Sequence, residues 1–446
     1  MNQRKLSPPQ ILVLGFAGVI LLGSILLSLP IASANGQPTP FLDALFTATS
    51  AVCVTGLVVV DTGIHWSFFG QIVILSLIQI GGLGFMTVAT LFALLLGRKI
   101  GLRERLLLQE ALNKVSVQGV VRLTRNVLLT TLIIEGVAAA ILALRWIPQF
   151  GLKQGVWFGI FHAVSGFNNA GFDLFGQVYG PFTSITHYVA DPVVTLTISF
   201  LIILGGLGFG VITDVIEEKR FSQFVLHTKL VLVTTAVLIL GGTLVLYVLE
   251  FANPKTLQPL SIQGKILAAY FQAVTPRTAG YNSINIADMT KASQFLIILL
   301  MFIGASPGST GGGIKTTTFA SIMLGVWAVI TGQEQAGTFE RRLPKEQVIK
   351  AMSIAFIAFL LVTVVTMILS ITESADFLTI IFETTSAFGT VGLTMGLTPN
   401  LTAVGRILII LTMFAGRVGP LTLAFAIALK AQKSAFKYPE EKILIG

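Results

Sequence analysis

Apolar residues run along this chain in long and short stretches whose order repeats four times. Residues 11–29 are apolar almost throughout, and as helix such a run of about 20 positions matches a bilayer core of roughly 30 Å. Residues 40–52 are apolar too, but a dozen residues reach only about 18 Å, enough to enter a membrane and not to cross it. A short segment at 53–56 returns the chain, and a long run over 68–96 completes the unit. The same order recurs as 127–146, 155–164, 168–171 and 189–212, then as 230–249, 262–274, 277–280 and 295 onward, then as 349–371, 377–386, 389–392 and 404–429. The pattern predicts an all-α polytopic membrane protein of four tandem helix–pore-loop–helix repeats, with eight transmembrane helices in quasi-fourfold arrangement around one pore. Its units divide the chain as 1–125 with a cytoplasmic loop, 126–228, 229–347 with an intramembrane loop at 304–315, and 348–446 with a C-terminal tail. The first run is too long for a signal-peptide core and no small-residue cleavage site follows it, so it reads as a retained span.

Each unit turns at a glycine. TSAVCVTGL ending at Leu57, VSGFNNAGF at Phe172, AVTPRTAGY at Tyr281 and TSAFGTVGL at Leu393 align on Gly56, Gly171, Gly280 and Gly392, about a quarter of the chain apart. Plain turns would explain one such glycine, not four in register. Irregular backbone at membrane depth is tolerated only where protein buries it or where it lines water. Four returns meeting on an axis offer rings of carbonyls able to replace a cation's hydration shell. Half-helices ending there direct their negative dipole ends at the same axis, and glycine permits the positive φ that a carbonyl ring needs.

Composition agrees with a membrane setting, for 54% of residues are hydrophobic, only 11% are charged, and the mean hydropathy is +0.86. The single cysteine, Cys53, excludes an internal disulfide and a multi-cysteine metal site. The net charge of +9 sits largely in loops on the side of the termini, at 98–125, 219–229, 341–350 and 430–442. By the positive-inside rule this places both termini in the cytoplasm and brings the half-helices in from outside. No basic helix or aromatic-basic module accompanies the charge, which argues against nucleic acid. Acidic residues assigned to the outer face are Asp43, Asp61, Asp173, Asp191, Glu250, Asp288, Glu373, Asp376 and Glu383, expected mostly to be solvated or, as Asp43 and Asp376, to lie at half-helix N-termini. Glycine clusters at Gly81, Gly82 and Gly84 and at Gly205, Gly206, Gly208 and Gly210 lack the βαβ setting of a dinucleotide site and predict close helix packing.

The motifs CVTG, NNAG, RTAG and GTVG in the four returns, with FNNAGF, QAVTPRTAG and FETTSAFGTVGLTMGLTP around them, resemble the superfamily of bacterial and plant potassium transporters that includes the Trk, Ktr and HKT proteins. The resemblance covers essentially the whole chain and is greatest to the Ktr membrane subunits. It implies a potassium selectivity filter whose main-chain carbonyls come from Cys53, Val54, Thr55 and Gly56, from Asn168, Asn169, Ala170 and Gly171, from Arg277, Thr278, Ala279 and Gly280, and from Gly389, Thr390, Val391 and Gly392. K+ is then the permeant ion, with Na+ as an activating or coupled ion a further expectation. In this superfamily a serine in place of the first filter glycine accompanies sodium preference, whereas all four positions here are glycine. The resemblance also implies a cell-membrane location and a homodimer seated on a separate cytoplasmic ring that binds adenine nucleotides. The loops at 98–125 and 333–350 are the available docking surfaces, and their charge equally suits anionic lipid.

Three charged or polar features demand their own explanation. Arg277 stands within the third return; either it points behind the filter to a carboxylate, Glu383 before Asp288, or it lies on the surface at the outer mouth. Residues 295–331 are almost free of charge and too long for one span, and GASPGSTGGGIK in their middle breaks the helix. By resemblance this loop, Gly304, Ala305, Ser306, Pro307, Gly308, Ser309, Thr310, Gly311, Gly312, Gly313, Ile314 and Lys315, forms a gate beneath the filter together with Arg417. Arg417 otherwise caps helix carbonyls or links subunits, and Lys315 is read as snorkelling toward the cytoplasm. The loop contains a G-x-S-x-G match at Gly304 to Gly308 without the strand or histidine a hydrolase requires, and a near-miss to a phosphate loop. Covalent catalysis is therefore not expected, and the chain is not read as an enzyme. An intramembrane hydrolase at Ser306 ranks behind a coupled secondary transporter, for which Glu135 is the one carboxylate clearly inside a span.

Overall fold

A computed structural model describes residues 8–84 and 120–419, together with 422, 441 and 444. The basic loop at 98–125 falls mostly outside them, as do the C-terminal tail and the far ends of the runs expected at 68–96 and 404–429. Among the described residues the regular elements are helices apart from one short hairpin, β1 (Gly337–Thr338) and β2 (Arg341–Arg342).

In chain order the described helices of ten or more residues are α1 (Pro8–Ser28), α2 (Phe41–Val52), α3 (Phe68–Leu83), α4 (Val120–Phe150), α5 (Leu152–Phe167), α6 (Pro192–Leu207), α7 (Phe209–Glu218), α8 (Leu226–Glu250), α9 (Ile262–Val274), α10 (Lys291–Phe302), α11 (Thr316–Ile330), α12 (Lys345–Thr372), α13 (Phe377–Gly389) and α14 (Ala403–Val418). Four of them, α1, α4, α8 and α12, contain stretches long and apolar enough to cross a membrane. Side chains such as Leu132, Leu240 and Phe356 stand exposed along them, as lipid-facing positions do. The half-helices α2, α5, α9 and α13 end fully buried, each packed on the long helix before it.

The last helix of one unit packs on the half-helix of the next: α3 on α5, α6 on α9, α10 on α13, and α14 back on α2. An ion pair between Arg406 on α14 and Asp43 in the first turn of α2 spans the closing contact. The cycle therefore closes on itself.

A second device recurs at the start of these last helices, where the close of each long helix, or the turn just after it, is tied to the N-cap of the unit's last helix. Ser67 caps α3 and donates to the Ile31 carbonyl at 2.6 Å; Asp191 caps α6 and pairs with Arg145 at 2.7 Å. Glu250 accepts from the Thr290 backbone and hydroxyl, both at 2.8 Å, and Glu373 accepts from those of Thr402 at 3.0 and 2.5 Å. These two carboxylates are 1% and 8% exposed, so the expectation that they are solvated is corrected: they satisfy orphan donors at helix starts, which is what keeps a buried charge tolerable. Asp376, by contrast, caps its half-helix as expected, accepting from Leu378.

The last helices depart from the hydropathy pattern. Three of them stop at a glycine in the left-handed region, Gly84 (φ 81°), Gly208 (φ 94°) and Gly419 (φ 92°). At Gly208 the axis turns by 96° between α6 and α7. In the third unit α10 stops at Phe302, and helix resumes at Thr316 after the Gly304–Lys315 segment. Hydropathy averages over the glycines at 84, 208 and 419 and so carries those runs past the stops, whereas the break at 304–315 falls where its proline and glycines predict it.

Candidate ion site

The four returns share one backbone conformation. The second residue of each tetrapeptide has positive φ: Val54 (51°), Asn169 (58°), Thr278 (66°) and Thr390 (49°). So does the fourth: Gly56 (91°), Gly171 (70°), Gly280 (81°) and Gly392 (92°). A backbone alternating between right- and left-handed conformations turns its N–H groups to one side and its carbonyls to the other. The N–H groups turn back to the half-helix, with Thr55 bonded to Ser50 O, Ala170 to Ser165 O and Val391 to Ser386 O, each at 2.8 Å, and Ala279 to Thr275 O at 3.0 Å. Hydroxyls complete the braces: those of Ser50 and Ser386 accept from the N–H of Gly56 and Gly392, while those of Ser165 and Thr275 donate to the carbonyls of Phe172 and Tyr281.

The four segments meet. A Cβ placed on Gly56 would lie 2.5 Å from the carbonyl oxygen of Ala170; on Gly171, 2.5 Å from that of Ala279; on Gly280, 2.5 Å from that of Val391. On Gly392 it would strike the carbonyl of Thr55 and lie 3.0 Å from the Cα of Gly56. Each glycine thus abuts the third carbonyl of the next segment, in cyclic order, and no side chain fits between them. Backbone, not side chains, faces backbone around this ring.

First-position side chains turn elsewhere. Cys53 is wholly buried, and the Asn168 amide donates at 2.9 Å to Gln79 Oε1, Glu135 Oε1 and the Val164 carbonyl. Arg277 is buried at 4% exposure, which rules out the surface reading, but among the described residues neither expected carboxylate pairs with it. Glu383 accepts instead from Thr394 and Thr398, Asp288 lies beside Lys255, and the Arg277 Nη1 has no hydrogen-bond partner. The Asn169 amide donates to the Arg277 carbonyl at 3.2 Å, bridging the second and third returns.

The 304–315 loop lies directly against this ring. Gly312 N–H donates to the Thr390 hydroxyl at 3.1 Å, and the Thr310 hydroxyl reaches Asn169 Oδ1 at 3.1 Å and the Phe167 carbonyl at 3.2 Å. Ser306 and Thr310 N–H donate to the carbonyls of Gly206 and Gly205 on α6, and Phe209 N–H donates back to Gly308. From the fourth unit Arg417 donates to the Thr310 carbonyl and to those of Gly81 and Gly82 at the end of α3. It therefore caps a helix and holds the loop at once. Lys315 does not snorkel; its ammonium curls onto the carbonyls of Gly311 (2.8 Å) and Gly312 (3.4 Å). Ser306 is hydrogen-bonded to the Thr316 hydroxyl at 2.8 Å, and the buried His162 is bonded to the Phe158 carbonyl and the Leu174 N–H.

Residues 15–438 match the family model described as "TrkH: Cation transport protein". The chain belongs to the TrkH family of cation transport proteins. Its relatives include the "Ktr system potassium uptake protein B" of Bacillus subtilis, 48% identical over 99% of this chain and 97% of that one. They include also the "Potassium/sodium uptake protein NtpJ" of Enterococcus hirae, 42% identical over 100% and 98%. In fold it is similar to the crystal structure of the potassium transporter TrkH from Vibrio parahaemolyticus, with a TM-score of 0.72 and 18% identity over 96% of this chain and 86% of that chain. This TrkH-family chain is accordingly a multi-pass membrane transporter, and the family's chemistry is transport rather than covalent catalysis.

Sequence reasoning missed the Glu135–Gln79–Asn168 contact and the carboxylate clasps at Glu250 and Glu373. Only a faint signal existed, a carboxylate near a run's end and a threonine or serine opening the last helix.

Proposed function

We propose that the chain mediates potassium uptake, passing K+ through a selectivity filter built from its four returns. The observation that carries this reading is the closed ring in which Gly56, Gly171, Gly280 and Gly392 each abut a carbonyl of the following segment. Its oxygens are fixed in place by N–H bonds to the half-helices, so they replace a hydration shell without rearranging. In this reading the chain comprises four repeats with eight spans, the half-helices enter from outside, and both termini lie in the cytoplasm of a cell-membrane protein. Loop residues Gly304 to Lys315 with Arg417 close the path below the ring, because a guanidinium bonded to Thr310 sets a positive charge there.

The name of the B. subtilis relative, a "Ktr system" protein, supports a membrane subunit working with other components, here a homodimer on a nucleotide-binding ring. The E. hirae relative's name, potassium/sodium, supports Na+ as a second transported or activating ion. The deciding experiment compares K+ and Na+ uptake by purified protein in vesicles, wild type against Gly56→Ser. The wild type is expected to prefer K+ and the variant to lose most of that preference; equal handling of both ions by the wild type would defeat the reading.

A further inference from the structure

Glu135 sits midway along α4, a helix whose neighbouring positions Leu132, Ile133 and Val137 are 64, 65 and 58% exposed. Its own side chain is 5% exposed and turns inward. Oε1 accepts from Asn168 Nδ2 at 2.9 Å and Oε2 accepts from Gln79 Nε2 at 3.2 Å, while Gln79 Oε1 accepts from the same Asn168 amide at 2.9 Å. Side chains from α4, α3 and the second return thereby close a triangle. Asn168 Oδ1 has no hydrogen-bond partner and lies over Gly82, where a Cβ would strike it. The orientation of Asn168 is therefore set by what its amide nitrogen meets, the triangle and the Val164 carbonyl.

We propose that Glu135 is a positioning residue for ion selection, acting through Asn168 to hold the second return in the ring; this rests on the filter reading above. A carboxylate suits the place because both its oxygens accept, so it receives one amide on each and has no donor to misplace. A glutamine would offer one oxygen and set its own N–H₂ against that of Gln79. The triangle also anchors the last turn of α3, whose Gly81 and Gly82 carbonyls receive Arg417, so one carboxylate steadies neighbours of both the ring and the loop. A role as an ion-coupling carboxylate fits poorly, since both oxygens are taken up by amides.

The test uses the full chain, purified and reconstituted, with K+ and Na+ uptake measured against concentration per unit of folded protein. Losing an acceptor from a buried donor predicts that Glu135→Ala lowers the K+ to Na+ preference about tenfold, chiefly through a raised KM for K+. Gln79→Ala is expected to shift the ratio in the same direction by less, and Glu135→Gln to retain part of the preference. Glu135→Ala combined with Asn168→Ala should be no worse than the poorer single variant, because both act on one contact. Should Glu135→Ala not fold, Gln79→Ala decides. Unchanged ratios in the Ala variants, with only less protein recovered, reduce Glu135 to a packing role and overturn the proposal. So does abolished uptake of both ions in Glu135→Gln, which would mark a coupling site. If the wild type prefers K+ and Gly56→Ser loses that preference while the Glu135 and Gln79 variants keep it, the filter reading survives and this inference alone fails; a wild type without preference removes both.

Discussion

The ring and the loop beneath it are both irregular backbone at membrane depth, yet they are held in different ways. Every return is braced within its own unit, by N–H groups bonded to the half-helix just before it and by a hydroxyl at Ser50, Ser165, Thr275 or Ser386, and the second adds bonds from Asn168 to Gln79 of the first unit and from Asn169 to the Arg277 carbonyl of the third. The loop, besides its own internal bonds, depends on other units: α6 carbonyls from the second, Thr390 and Arg417 from the fourth, and Asn169 from the second return. Short-range braces form together with the helix that supplies them and break only with it. Long-range ones each hang on one or two donors, so a small displacement of a neighbouring helix releases several. Under the proposed reading, in which the ring stays fixed and the loop opens, the two ways of holding backbone suit the two roles.

The largest effect is expected at the ring itself. Gly392→Ala places a Cβ against the Thr55 carbonyl at a φ of 92°, and because the neighbouring segment is backbone it cannot yield by a rotamer change. K+ uptake in vesicles should fall about a hundredfold, consistent with strain of a few kcal/mol at one residue of a shared ring. Near-normal uptake would mean the ring tolerates distortion. Next comes Arg417→Ala, which removes the donors tying the loop to α3 while leaving every return's own braces in place. Flux at equal protein content should rise about three- to tenfold with K+ preference kept, since a charge and a tether leave together. A lower or unchanged flux would place the closure elsewhere.

The smallest effect concerns pH on the side of the ring away from the loop. Asp173, two residues beyond Gly171, has its carboxyl pushed up to about 7, by burial first and then by the charge of Asp61. Between its ordinary value of 3.8 and about 7 the folded chain keeps a proton that the unfolded chain has released, so stability falls as pH rises through that window. Melting temperatures measured from pH 5 to 8 should decline less in Asp173→Asn than in the wild type, with the effect of Arg417→Ala on flux the same at both ends. Parallel pH curves for the two proteins would remove Asp173 as the source.

Much of this molecule was readable from residue order because the signals are local. A half-span is short whatever surrounds it, and a glycine needing positive φ, as at Gly56 or Gly392, announces itself in a repeat. Arg277 shows the opposite case: a buried cation suggested a carboxylate partner, yet Glu383 is occupied by Thr394 and Thr398, residues eleven and fifteen positions further along. Lys315 looked free to reach water, but the loop folds so that its own carbonyls are nearer.

Residue order by itself determined the all-helical membrane character, the fourfold recurrence of half-helix and glycine, and the break at 304–315, because hydropathy, helix length and backbone freedom are properties of adjacent residues. Tertiary structure alone decided that the glycines abut one another's carbonyls in a closed cycle, that Arg417 grips both α3 and the loop, and that Glu135 meets Asn168. Those contacts join residues tens to hundreds of positions apart. Nothing in a local pattern says which donor will reach which acceptor until the helices have packed.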